Sequence, residues 1–323
     1  MSDSKKDLEQ EQKSVDSADK PEEVLVEEIS LDEESSSSIE LMPIEEPEPP
    51  KKKTSVSNIV RYIIMGVALC VFAFAAVQIV RIVLSYKHAQ NIYEDINNQA
   101  YHTEAESDNV SPTVDPGTDE KYPGIDASAR IDFDVLKGIN ADVRGWIDVP
   151  SLGVSYPIVQ GTDNDYYLDH AFNNEFSWSG AIFLDWKNSP TIDDPHNVIY
   201  GHHMNDGSMF AALLEYDSES FYQEQAENNN NYFYIYFEGS VEVYQIFSVC
   251  DVTFDENIDC FRMVDSSFTT QDYIDAIKAV ELYDTGIEAN ADDTITTLYT
   301  CQNGSSDPVR HMVHGKLIAT IEK

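Results

Sequence analysis

Basic residues are scarce: 20 Lys and Arg stand against 59 Asp and Glu, for a formal net charge of −39. A chain this acidic is repelled by phosphate backbones unless it concentrates a basic patch, so no nucleic acid is expected as a partner. Cysteine is rare too, at 4 in 323 residues, which excludes a disulfide-dense miniprotein. With 13 Pro and 14 Gly the chain is not collagen-like, and at 42% hydrophobic and 11% aromatic it is not a wholly disordered polymer. Its length leaves room for one or two folded units of about 100–200 residues plus appendages.

The charge is unevenly placed. Residues 1–50 carry −13, residues 51–87 carry +6 without a single acid, and residues 88–323 carry −32. Residues 1–58 contain acidic runs, the tetrad Ser35 to Ser38 and the Pro-rich stretch Glu45 to Pro50, with no aromatic residue. That composition cannot bury enough apolar surface to offset the entropy of ordering, and it predicts a disordered acidic tail.

From Tyr62 to Val80 the chain runs 19 residues with Gln78 as the only strongly polar side chain. At about 1.5 Å per residue this is about 28 Å of helix, close to the roughly 30 Å of a bilayer's hydrocarbon core. The small residues Ala73, Ala75 and Ala76 suggest a cleavable signal peptide, but such peptides lie near the N-terminus and have a shorter apolar region. An uncleaved anchor over 59–84 fits better. Lys51, Lys52, Lys53 and Arg61 precede the apolar run Tyr62 to Val80, and only Arg81 and Lys87 closely follow it. The positive-inside rule then puts the tail in the cytoplasm and everything past the anchor outside the cell. Residues 85–130 read as a stalk or linker, polar at first and then rich in turn formers such as Asp115-Pro116-Gly117 and Tyr122-Pro123-Gly124. The folded domain is expected over 131–323.

That domain reads as mainly β. Phe133, Leu136 and Ile139 follow Asp132, a helix N-cap, and predict a short helix over 132–140. Eight β-branched or aromatic runs bounded by turn residues then predict strands at 145–149, 154–160, 180–184, 197–200, 232–237, 242–253, 294–301 and 310–321. Eight short strands favour a closed barrel or a sandwich. Helices are expected around Met209–Leu214 and over Thr270–Leu282, where Tyr273, Ile274, Ile277 and Val280 form an apolar stripe.

Three cysteines fall in this domain, Cys250, Cys260 and Cys301, with Cys70 inside the apolar run. Cys301 ends a β-branched run and is followed by the polar turn formers Gln302 to Pro308, which places it at a rim where chemistry is accessible on a rigid scaffold. Cys250 and Cys260 are left unpaired. A thiol nucleophile works as thiolate and needs a base or cation beside it. The candidates are His170, His196, His202, His203, His311 and His314. His202 stands just past the strand Asn197 to Tyr200 and Gly201, again at a rim, and adjacent strand residues face opposite ways, so only one of His202 and His203 should face the thiol. Arg is rare past the anchor, at 130, 144, 262 and 310, and Arg310 opens the strand after the Cys301 loop, where it can stabilise an oxyanion.

These residues resemble the sortases, membrane-anchored cysteine transpeptidases of Gram-positive bacteria, and specifically class B. Thr297-Leu298-Tyr299-Thr300-Cys301 is similar to the TLxTC signature of the nucleophile strand. Tyr200-Gly201-His202 with Met204 and Asp206 to Phe210 resembles the histidine segment, and Arg310 before Val313-His314-Gly315-Lys316-Leu317 resembles the arginine strand. Asp165 to Leu168 and Gly180 to Asp185 resemble the class B region before the histidine. Tyr299 fills the variable position, where class B members often carry Ser. The resemblance implies an eight-stranded sortase-type barrel with peripheral helices, preceded by a single transmembrane helix, and a helix between the sixth and seventh strands. It implies Cys301 as nucleophile, His202 as general acid/base and Arg310 as ligand of the substrate carbonyl, with no metal or organic cofactor. It implies cleavage of a C-terminal sorting signal of secreted surface proteins after Thr and transfer of the acyl group to an amine of a peptidoglycan precursor or a pilin, at the cell membrane. The alternative is a catalytically silent, membrane-anchored binding domain that kept the barrel; hydrolysis, with water as acceptor, is the same chemistry.

Overall fold

The computed structural model describes residues 56–102, 122, 130–255, 258–301 and 308–322. The expected acidic tail up to residue 55 and much of the expected linker lie outside the described residues. Helix α1, Val56–Ala100, is the one described helix long and apolar enough to cross a membrane. It does not stop where the apolar run stops. Ala89, Ile92, Ile96 and Ala100, spaced three or four apart, continue as a buried stripe, the last three packed in one cluster with Leu136, Trp146 and Phe172. The chain then makes a two-stranded pair from β1, Tyr101–His102, and β2, Arg130–Ile131.

Helix α2, Phe133–Ile139, is capped by Asp132, whose side chain accepts from the Val135 amide, as the sequence predicts. Eight strands follow: β3 Val143–Val149, β4 Val154–Val159, β5 Ile182–Leu184, β6 His196–Tyr200, β7 Tyr232–Tyr236, β8 Ser240–Thr253, β9 Ile295–Cys301 and β10 Val309–Glu322. They close into a barrel in the order β10-β8-β7-β3-β4-β5-β6-β9, with β9 pairing back onto β10. The pairs β4–β5 and β6–β9 are parallel, and the rest are antiparallel. The interior is filled by alternate residues, among them Ile147, Ile158, Ile199, Phe233, Ile246, Leu298 and Val313. Gly315 is required at its position, since a Cβ there would lie 2.2 Å from Cε1 of Phe233.

Helix α3, Glu219–Glu227, starts at Ser218, and helix α4, Thr270–Lys278, starts with a reciprocal cap between Thr269 and Asp272. The sequence carries the apolar stripe of α4 on to Leu282, but the helix ends four residues sooner, because Glu281 bridges to Cys250 and the Leu282 amide donates to Val249. The helix expected around Met209–Leu214 forms as a three-ten helix over Ala211–Asp217. α4 and a three-ten turn at Asp259–Phe261 pack on the outer side of β8 and β9 through Phe247, Ile295 and Met312.

Candidate active site

The parallel register of β6 and β9 runs from His196 opposite Ile295 to Tyr200 opposite Tyr299, and the Gly201 amide continues it by donating to the Tyr299 carbonyl at 3.1 Å. His202 follows at once, two residues past the end of β6. On the other side of β9, Cys301 is the direct partner of Arg310 on β10. The end of β6, the end of β9 and the start of β10 thus bring the backbone at His202, Cys301 and Arg310 to one rim of the barrel. Along β9, Thr297 and Tyr299 face outward, whereas Leu298 faces the core.

Gly201 explains how His202 is carried there. A Cβ at Gly201 would lie 2.5 Å from Cδ1 of Ile182 and 2.6 Å from Cδ2 of Phe210, so only glycine lets the chain turn over the barrel end. The loop folds back at once, with the Phe210 amide donating to the His202 carbonyl at 3.0 Å. Nε2 of His202 lies 2.7 Å from the Leu168 carbonyl. A carbonyl only accepts, so Nε2 carries its hydrogen and Nδ1 is the ring atom left to exchange protons. The backbone of His203 forms an isolated antiparallel bridge with Met209. The Arg310 guanidinium lies over the Phe254 ring, 5.6 Å from its centre.

The remaining histidines are committed elsewhere. His196 and His314 are buried; Oγ1 of Thr297 lies 3.0 Å from Nε2 of the first and 3.0 Å from Nδ1 of the second. Burial pushes His196 down to about 3 and His314 well below the ordinary range, so both are neutral imidazoles in a packed wall. His170 stacks on Tyr166 at 4.1 Å between ring centres. His311 is fully buried, with Nε2 donating to the Leu213 carbonyl at 2.9 Å and Nδ1 2.8 Å from both Asp217 and Asp251. Burial alone would push it down, but hydrogen bonds to Asp217 and Asp251 and their charges outweigh burial and push it up to about 9. Cys250 and Cys260 are free thiols in the core, and burial pushes them up to about 12 and about 11, far from thiolate at neutral pH.

Below the rim on the same outward face lies a cavity of about 200 Å³, lined by Asp185, Tyr200, Phe261, Tyr273, Thr297 and Tyr299. Tyr200 and Tyr299 meet edge to face at 5.1 Å, and the Tyr200 hydroxyl donates to Asp185. Sequence reasoning did not find this cavity, whose outer wall comes from α4 and the Asp259–Phe261 turn, distant in the chain from β9.

A model of the sortase domain matches residues 147–318. Sortase B of Listeria monocytogenes is 31% identical over 259 residues, covering 78% of this chain and 94% of that protein. The structure of sortase B from B. anthracis superimposes with a TM-score of 0.56 at 27% identity, over 75% of this chain and 100% of that one. A Staphylococcus aureus sortase B–substrate complex superimposes with a TM-score of 0.51 at 29% identity, over 58% of this chain and 84% of that one. The barrel, the ordered His, Cys and Arg segments and these matches agree, and the chain belongs to the sortase family of cell-wall cysteine transpeptidases, within class B.

Proposed function

We propose that the domain over 131–323 cleaves a C-terminal sorting signal after its Thr and passes the acyl group to an amine, with Cys301 as nucleophile, His202 as general acid/base and Arg310 as carbonyl ligand. The observation that supports this reading is that β9 pairs Cys301 with Arg310 while the Gly201 amide, next to His202, donates to the Tyr299 carbonyl two residues before Cys301. The Cys301 thiolate attacks the Thr carbonyl carbon, and the Arg310 guanidinium compensates the charge that develops on oxygen. As the C–N bond breaks, Nδ1 of His202 gives its proton to the departing amine, leaving a thioacyl enzyme. An incoming amine attacks the thioester, gives its proton back to His202 and releases the thiolate as the C–S bond breaks. Throughout, the Leu168 carbonyl holds the Nε2 hydrogen and keeps the ring aimed.

The cavity beside Tyr200 and Tyr299 lies on the face where the signal upstream of the Thr would lie extended from the rim. The acceptor is an amine of a peptidoglycan precursor or a pilin, and the donors are surface proteins that carry the sorting signal. α1 anchors the enzyme in the cell membrane with the acidic tail in the cytoplasm and the barrel outside, as the basic residues before the span favour.

Incubating the full chain with candidate sorting peptides and measuring intact mass tests the site. A peptide adduct is expected that Cys301→Ala abolishes; an adduct that persists in Cys301→Ala refutes the assignment. A wild-type protein that forms no adduct and has no reactive thiol would be the silent binding domain instead.

A further inference from the structure

The helix that crosses the membrane is also the helix that holds the barrel. Past Leu84, the last residue of the anchor read from the sequence, α1 touches the folded domain within about a turn. Nε2 of His88 is 3.0 Å from Glu175, Nε2 of Gln90 donates to Asp206 at 3.1 Å, and the Tyr93 hydroxyl donates to the Gly180 carbonyl at 2.7 Å. From Leu84 to His88 an α-helix rises about 6 Å, and to Gln90 about 9 Å. The headgroup zone of a bilayer adds about 5–8 Å beyond the hydrocarbon on each side. Counted from Leu84, the His88–Glu175 contact therefore sits near the outer side of the headgroups.

The residues beside Glu175 suit that depth. Phe176 is 53% exposed, Trp178 65% and Tyr166 40%, and with His170 they form a continuous row of rings. Tyr166 stacks on His170 at 4.1 Å, His170 meets Phe176 at 6.2 Å and Phe176 meets Trp178 at 5.0 Å. The loop that presents them is fixed, with the Ala171 amide donating to Glu175, the Ser177 amide to Asp169 and the Gly180 amide to Ser177. A fixed cluster of large exposed rings marks a surface that meets something. Trp and Tyr in particular favour the boundary between water and lipid, where a ring can be half immersed with its polar edge wet.

We propose that Tyr166, Phe176 and Trp178 are a second membrane contact, an aromatic row that rests in the headgroup region of the leaflet from which α1 emerges and seats the barrel against it. The flanking carboxylates limit the depth. Asp163, Asp165, Asp169 and Glu175 would resist entry into hydrocarbon, and His170 and His88 partner the last two. Asp206 belongs to the loop that follows His202, so the seating also holds that loop within about 9 Å, along the helix axis, of the end of the span. The inference rests on the reading of α1 as a membrane span.

Full-length protein reconstituted in phosphatidylcholine vesicles that carry shallow brominated acyl chains provides the test. Of the three tryptophans, Trp146 is buried at 1% exposure, while Trp178 and Trp186 are exposed. Wild-type emission should be quenched by the brominated lipid; Trp178→Phe should remove most of that quenching, and Trp186→Phe should leave it in place. Quenching equal in wild type and Trp178→Phe, or lost in Trp186→Phe instead, overturns the proposal. Flotation of the same samples separates the two levels of the argument: protein that floats without Trp178 quenching sinks this contact alone, and protein that does not float sinks the span and the contact together.

Discussion

Removing the charge on His311 should cost the fold about 3 kcal/mol, and the loss should appear as a pH dependence. The imidazole has no exposed surface, its Nε2 is fixed by the Leu213 carbonyl, and its Nδ1 faces Asp217 and Asp251 at 2.8 Å. It titrates at about 9 in the folded chain, against about 6.5 when unfolded. The folded state holds this proton more tightly, so the stabilisation is complete below about pH 6.5 and fades as pH rises through about 9. The slope reaches at most about 1.4 kcal/mol per pH unit, and the total is about 3 kcal/mol. Urea unfolding of the full chain in mild detergent, followed by near-UV circular dichroism at several pH values from 6 to 9.5, measures it. Wild type should lose stability steadily across that window, and His311→Gln should be less stable at pH 6 and nearly flat. Asp217→Asn should bring the fall to lower pH. Parallel traces for wild type and His311→Gln between pH 6.5 and 9 would refute the argument.

Gly201→Ala should destabilise by about 1–3 kcal/mol, because its methyl must displace Ile182 or Phe210, and should slow peptide adduct formation more than the melt alone explains, since His202 is the next residue. At pH 7.5 iodoacetamide should label the native outer domain at Cys301 and spare Cys250 and Cys260, which mass spectrometry should find modified only after unfolding. Tyr299→Ser removes a ring that meets both Tyr200 and Phe261 at the cavity wall, and should raise KM for a sorting peptide with little change in kcat. Leu136→Ala, at 0% exposure, should lower stability by about 2–5 kcal/mol in the same unfolding assay and leave thiol labelling unchanged.

The eight strands were legible because each is a short β-branched or aromatic run closed by turn residues, and their observed ends differ from the expected ones by two residues at most. The order in which they close was not. Parallel pairing of β6 with β9 depends on everything folded between them, and no local pattern marks it. At the rim, the strand-end positions of Cys301 and Arg310 were readable from the turn residues between them. The partner of His202 was not, because a backbone carbonyl such as that of Leu168 has no side-chain signature. The packed end of α1 did have a signal: Ala89, Ile92, Ile96 and Ala100 keep helical spacing inside a stretch whose overall polarity reads as a stalk. α3 is short, and its single buried residue, Tyr222, gives no periodicity to detect.

The side-by-side arrangement of β6 and β9 also bears on when the enzyme becomes reactive. The residues that meet, such as His196 and Ile295, are about 100 positions apart, and closing a loop of that length costs about 4 kcal/mol of chain entropy before any contact repays it. A half-folded chain therefore has its thiol and its imidazole on separate, independently moving pieces. On the proposed mechanism, reactivity toward acyl groups becomes a readout of completed barrel closure.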